Sequence, residues 1–258
     1  MNLELKDKIV VVTGSAHGLG KGICKKFLEE GAIVTVTDII EERTLKTYNE
    51  FVHEFGSEKL IEFTGDLTNE DVINIFFEKV INKFGKIDIL IANLGTGRGS
   101  TDWNVSEDEW NKNFELNFNG ARKITNAVIP ILQKNNSGSI IYISSIAGVE
   151  VIGAPIHYSV AKAALIAYSK NLSKKIAVDN IRVNTICPGN IYFKDGTWDL
   201  KMQENEEKVI EMLKKSVPLN RFATPEDIAS LVVFISSKKA SFVTGACLIS
   251  DGGQTIGI

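Results

Sequence analysis

The chain has 258 residues, 44% of them apolar, which is enough to bury a substantial core and is routine for one α/β domain. Its 29 basic and 32 acidic residues leave a formal charge of -3, so no net positive field steers it to nucleic acid. No apolar run approaches the ~18 residues of a membrane span, and the mixed charges of Met1 to Lys8 lack the apolar stretch of a signal peptide, so a cytoplasmic location is expected, with neither nucleic acid nor membrane as partner.

The first predicted strand, 8–13, runs into Thr13-Gly14-Ser15-Ala16-His17-Gly18-Leu19-Gly20 and then a predicted helix over 18–30. Glycines in a strand-to-helix turn let backbone approach a pyrophosphate, while the helix N-terminus presents N–H groups and positive potential. The Gly-x-x-x-Gly-x-Gly spacing is a variant of the dinucleotide fingerprint, in the context that motif requires. Gly14, Ser15, His17, Gly18, Leu19 and Gly20 are therefore candidate nucleotide contacts. The second strand, 33–38, closes on Asp38, eighteen residues past Gly20. A carboxylate there can bind both ribose hydroxyls of NAD and repels the 2′-phosphate of NADP; its plainer role would be to cap the helix predicted at 41–54.

After the third strand, 60–64, Gly65-Asp66-Leu67-Thr68 places Asp66 and Leu67 where an adenine and its ribose would lie, although Asp66 could instead cap the helix at 69–84. Asn93 and Gly95 follow the fourth strand, 87–92, in the same way. The loop then continues Thr96-Gly97-Arg98-Gly99-Ser100-Thr101-Asp102-Trp103, whose glycines allow close approach to a ligand. Arg98 offers a planar fork for a carboxylate or phosphate, unless it pairs with Asp102. Trp103 could stack on a sugar or ring face.

A helix predicted over 106–132 carries Asn117, a mediocre helix former. Strand 139–144 ends at Ser144-Ser145, and the helix predicted over 155–178 holds Tyr158 and Lys162 on one face, four residues apart. A neighbouring ammonium favours phenolate, lowering a tyrosine pKa from about 10 toward working pH. Such a phenol can exchange a proton with an alcohol or carbonyl oxygen. His157 projects about 100° away from Tyr158 on a helix and is given no role. Strand 181–186 leads to Pro188-Gly189 and then 190–216, a charged, partly helical stretch at a strand's C-terminal end, which reads as a substrate lid containing Trp198. Helix 225–236, strand 247–250 and Asp251-Gly252-Gly253 complete the chain. Cys24, Cys187 and Cys247 are far apart and lack metal-ligand spacing, so buried reduced thiols and no metal are expected.

Strand–helix alternation with continuous apolar strands implies an α/β fold: a doubly wound Rossmann-type parallel sheet of seven strands with helices on both faces. Without a repeat or linker, residues 1–258 read as one domain. Jointly the Thr13–Gly20 loop, Asp66-Leu67, Asn93 with Gly95, Asn117, Ser145, Tyr158 with Lys162, Pro188-Gly189 and Asp251-Gly252-Gly253 resemble the short-chain dehydrogenase/reductase family over essentially the whole chain. The resemblance implies Tyr158 as general acid/base, Ser145 as hydrogen-bond partner of the substrate oxygen, Lys162 on the nicotinamide ribose and Asn117 holding a water in the proton relay. Pro188, Gly189 and Ile191 would complete the cofactor site. The spacing typical of the family selects Ser145 over Ser144 and Asn117 over Asn119.

Three departures stand out: Ala92-Asn93-Leu94-Gly95 replaces the family's Asn-Asn-Ala-Gly, His17 stands where NADP-preferring members often carry Arg or Lys, and Phe193 replaces a Thr that contacts the nicotinamide amide. Amide recognition then falls to backbone near Ile191 or to Thr197. The expected activity is an NAD(H)-dependent oxidoreductase interconverting a secondary alcohol and a ketone, a small-molecule substrate. A 3-oxoacyl-[acyl-carrier-protein] reductase-like enzyme using NADPH is the main alternative, and a non-catalytic nucleotide-binding scaffold is the other. Small and apolar residues on helices 106–132 and 155–178, and an apolar tail over 245–258 ending in Ile256 and Ile258, suit assembly, and the resemblance, whose members pair these two helices between subunits, implies a homotetramer of two-fold symmetry, or at least a dimer.

Overall fold

The computed structural model describes residues 2–257; Ile258, part of the apolar tail, lies outside them. Seven parallel strands form one sheet in the order β3-β2-β1-β4-β5-β6-β7: β1 (Ile9–Val12), β2 (Ile33–Asp38), β3 (Leu60–Thr64), β4 (Ile89–Ala92), β5 (Gly138–Ile143), β6 (Ile181–Pro188) and β7 (Cys247–Ser250). Side chains alternate across a strand, so β1 feeds two cores. Val10 and Val12 join Phe27, Val36, Phe51 and Val232 on one face, beneath α1 (Gly18–Glu29), α2 (Glu41–Phe55) and α8 (Pro225–Ser236). Ile9 and Val11 join Phe76, Ile124, Tyr142 and Leu165 on the other, beneath α3 (Glu70–Phe84), α5 (Gly120–Lys134) and α6 (Ile156–Ile176). The strand order reverses between β1 and β4, which opens a crevice at the C-terminal strand ends.

Local sequence sets several boundaries. Asn69 caps α3, its Oδ1 accepting from Asp71 N at 2.9 Å, so Asp66 is not the cap. Thr224 and Asp227 form a reciprocal capping box behind Pro225 at the start of α8.

The single helix expected over 106–132 is broken. α4 (Glu107–Phe114) passes through a π turn, Glu115–Asn119, before α5 begins. Such an insertion turns side chains away from the regular α register and is frequent at functional sites; here it holds Asn117. The stretch expected to form a lid is more regular than its charge pattern suggests, since α7 (Thr197–Ser216) is helical on both sides of a break at Asn205 (φ -160°, ψ 90°). Pairing of β6 with β7 brings the Cys187 and Cys247 sulfurs to 3.4 Å, and Cys247 is exposed. That corrects the expectation of three separate buried thiols, because strand order sets their distance and the outer face of β7 is uncovered. Among the described residues no helix is long and apolar enough to cross a membrane.

Candidate active site

A cleft of about 500 Å³ runs along the C-terminal ends of the strands on both sides of the switch point. One half is built by the β1–α1 turn. Gly14, His17, Gly18, Leu19 and Gly20 line it, at the N-terminus of α1. A Cβ on Gly20 would sit 2.9 Å from Ser15 Cα and closer still to the Gly14 carbonyl, so only glycine allows this turn to fold back on itself. Asn93 fastens the turn to β4, its Nδ2 donating to Thr13 O at 3.0 Å and to Gly14 O at 3.2 Å. Ser15 departs from expectation. It is fully buried, its N–H donates to Thr37 O at 2.7 Å, and its hydroxyl donates to Thr35 O and accepts from Thr37 N. With both groups committed to β2, Ser15 latches the loop and does not line the cleft.

Asp38, Asp66, Leu67 and Gly95 line the same half. Asp38 accepts from Ile40 N at 3.0 Å, and its other oxygen lies 3.7 Å from Arg43 Nη1. Asp66 accepts from Thr68 N and Oγ1 in a local turn. Ile39 and Arg43 also line the cleft and lie outside the residues picked out from sequence. Arg43, in the first turn of the helix after Asp38, is the signal that could have pointed there.

The second half holds Ser144, Ser145, Tyr158, Lys162, Pro188, Gly189 and Ile191. Ser144 is buried and its hydroxyl donates to Lys162 O at 2.9 Å, whereas Ser145, half-buried, accepts from Ala147 N and faces Tyr158. Lys162 is 3% exposed, donates to Ile143 O at 3.0 Å, and lies 5.8 Å from the centre of the Tyr158 ring. Burial pushes its pKa down to about 8.

The expected lowering of the Tyr158 pKa is reversed in this structure. Burial raises it, and the Ser145 hydroxyl pulls it back only in part. Desolvation penalises the phenolate, while the ammonium that would favour it is directed at the Ile143 carbonyl and is itself weakened by burial.

Asn117 is fully buried, and its side chain is committed to the loop after β4. Oδ1 accepts from Thr96 N at 3.0 Å, and Nδ2 donates to Thr96 O and to Asn113 O. It stands behind the cleft wall at Gly95, where a Cβ would meet both its Oδ1 and the ammonium of Lys162, which does line the cleft. Asn119 instead donates to Glu115.

Ile191 pairs with Ala223 in an isolated bridge whose bonds run through Asn190 O and Tyr192 N, so its own N–H and C=O turn away from that partner. Phe193 packs its ring edge-on to His17, 5.3 Å between centres, and against Gly18 at the cleft rim.

A second cavity of about 660 Å³ adjoins the cleft, lined by His17, Arg43, Arg98, Phe193 and Thr197 among others. Arg98 donates to Asp195 O at 3.4 Å, linking the loop after β4 to the segment leading into α7; the alternative partner, Asp102, is not the one it takes. The two stacking tryptophans do not reach the cleft. Trp103 is 83% exposed, and Trp198 packs on Phe222 with Lys201 over its face.

A family model described as enoyl-(acyl carrier protein) reductase matches residues 14–255. The chain is 36% identical over 254 residues to a 3-oxoacyl-[acyl-carrier-protein] reductase of Chlamydia muridarum, covering 98% of this chain and 100% of the relative. It is 33% identical to the enzyme of the same description from Thermotoga maritima, at 98% and 100% coverage. L-sorbose reductase from Gluconobacter frateurii, solved with NADPH and L-sorbose, superposes with a TM-score of 0.94 at 30% identity, covering 100% of both chains. A glycine-cradled crevice, a buried Lys162 behind Tyr158 and likeness over the full length converge on one conclusion: this chain belongs to the short-chain dehydrogenase/reductase family of NAD(P)-dependent oxidoreductases.

Proposed function

We propose that the protein is an NAD(H)-dependent oxidoreductase interconverting a secondary alcohol and a ketone, with Tyr158 as general acid/base. The observation that carries this reading is the meeting of Ser145, Tyr158 and Lys162 in one cleft with the glycine-cradled turn and Asp38. The Gly14–Gly20 turn and the α1 N-terminus fit a pyrophosphate, and Asp38 fits the adenosine ribose hydroxyls. Bound there, the nicotinamide dinucleotide supplies hydride exchange with the substrate carbon. Ser145 Oγ holds the substrate oxygen, and Tyr158 Oη gives that oxygen its proton in reduction and takes it in oxidation. Lys162 Nζ serves the nicotinamide ribose. Asn117 holds the wall behind them in place for the proton's exit. Residues 1–258 act as one domain with 190–216 as the substrate lid, hinged where α7 breaks at Asn205 and fastened by Asp199, which accepts from Tyr192 Oη at 2.6 Å and Asp195 N at 2.8 Å. Exposed Ile156, Val160, Phe242 and Ile249 support assembly into a homotetramer.

Arg43 favours a second reading. It shares the cleft with Asp38, and a 3.7 Å pairing leaves its guanidinium within reach of a 2′-phosphate. An NADPH-dependent ketone or 3-oxoacyl reductase would use it so, in keeping with the NADPH bound by the L-sorbose reductase neighbour. Titrating NAD and NADP against protein fluorescence separates the two. NAD binds at least about tenfold more tightly on the first reading, and Asp38→Ala narrows the gap. Tighter NADP binding that is lost in Arg43→Ala overturns it in favour of the second.

A further inference from the structure

His157 precedes the proposed acid/base, and burial sets it apart from an ordinary helix residue. Its imidazole is completely inaccessible, and neither Nδ1 nor Nε2 makes a hydrogen bond among the described residues. Buried polar groups are almost always partnered, so this one calls for an explanation. The ring stands edge-on to Trp110 of α4, 5.9 Å between centres, and Nε2 lies 3.4 Å from Glu109 Oε1, near it but out of line for a hydrogen bond. The same Glu109 oxygen accepts the backbone N–H of Ser100 at 2.7 Å. Between the two side chains passes Gly99 (φ +150°), where a Cβ would fall 2.6 Å from His157 Nε2 and 2.9 Å from Glu109 Oε1.

The loop after β4 is thus pinned at two points. Asn117 grips Thr96 at its start, and Glu109 with His157 grips Gly99 and Ser100 further on. The stretch between them lies on Tyr158, since a Cβ on Gly97 would be 3.5 Å from the Tyr158 Cζ. Next to it, Arg98 reaches across to Asp195 of the lid.

We propose that His157 and Glu109 form a clamp that holds residues 96–100 against Tyr158, and so act as positioning residues for the substrate. This deepens the functional reading above and rests on it. When substrate fills the space beside Gly97, the loop seats and the 3.4 Å approach closes into a full Nε2–H to Oε1 hydrogen bond. The unpartnered imidazole is a donor held ready for that step. The clamp touches neither the substrate oxygen nor the nucleotide half of the cleft, so it governs substrate affinity and leaves cofactor affinity alone.

The test uses four variants of the full chain: Glu109→Ala, Glu109→Gln, His157→Ala and His157→Gln. Two readouts are taken: amide exchange of residues 96–100, and steady-state reduction of L-sorbose and of an acetoacetyl thioester. Both alanine variants are expected to exchange the Ser100 amide about tenfold faster or more. They should raise KM about tenfold, with kcat and cofactor Kd nearly unchanged. The glutamines, which keep an acceptor for Ser100 or a donor near the Nε2 position, should restore both readouts substantially. Glu109 is partly exposed, so its variants decide the matter if His157→Ala does not fold. Unchanged Ser100 exchange in folded Glu109→Ala overturns the clamp, as does a loss confined to kcat. Absence of turnover in the unmodified protein counts against the alcohol–ketone reading and leaves the exchange measurement to judge the clamp.

Discussion

Replacing Lys162 by methionine should abolish turnover and make the protein more stable at neutral pH. The ammonium is 3% exposed, and burial holds its pKa at about 8, against 10.5 for a free lysine. Keeping it charged below pH 8 therefore costs about 3 kcal/mol, at ~1.36 kcal/mol for each pH unit of that difference. Methionine fills a similar volume without the charge. It forfeits the charge-assisted hydrogen bond to Ile143 O, worth about 2 kcal/mol, which leaves a net gain of about 1 kcal/mol, or roughly 2–4 °C in Tm for a chain of this size. The pH dependence gives the sharper signature. Between pH 8 and 10.5 the unfolded chain retains this proton and the folded chain does not, so the stability of the unmodified protein rises with pH through that window. The advantage of Lys162→Met should be full at pH 7 and gone near pH 10. Urea unfolding of both proteins at several pH values measures it. A variant that is less stable at pH 7 by an amount that does not change up to pH 10 would refute the reasoning, because the lysine would then stabilise the fold through packing alone.

Three further outcomes follow from the same geometry. Tyr158→Phe should lower turnover by roughly 10²–10⁴ with nucleotide affinity retained; stopped-flow nicotinamide absorbance checks it, and near-normal rates exclude Tyr158 as the acid/base. Gly20→Ala forces a methyl against Ser15 Cα and the Gly14 carbonyl, so it should weaken nucleotide binding at least about tenfold and destabilise the fold by about 1–3 kcal/mol, both readable from thermal shifts with and without NAD. Light scattering at micromolar concentration should give a mass about four times 28.4 kDa, and a value near 28.4 kDa itself would exclude assembly.

Local rules were enough for much of this protein. Continuous β-branched runs fix the strands, because a strand buried on both faces of a sheet reads as an unbroken apolar stretch without distant information. The Thr13–Gly20 turn and the four-residue spacing of Tyr158 and Lys162 are likewise matters of a few successive residues. Asn69, Thr224 and Asp227 cap their helices within reach of their own backbone. What depends on neighbours distant in sequence had to await the tertiary structure. The π turn at Glu115–Asn119 is invisible to periodicity, since it turns Asn117 toward a backbone 21 residues away. Ser15 looks like a cofactor contact until β2 claims its hydroxyl. His157 and Glu109 are 48 residues apart in sequence and meet only because α4 and α6 pack together. Sequence spacing offers a cation four residues away to lower the Tyr158 pKa, but only the assembled cleft supplies the desolvation that raises it, against which the Ser145 hydroxyl pulls in part, and the same burial weakens the lysine.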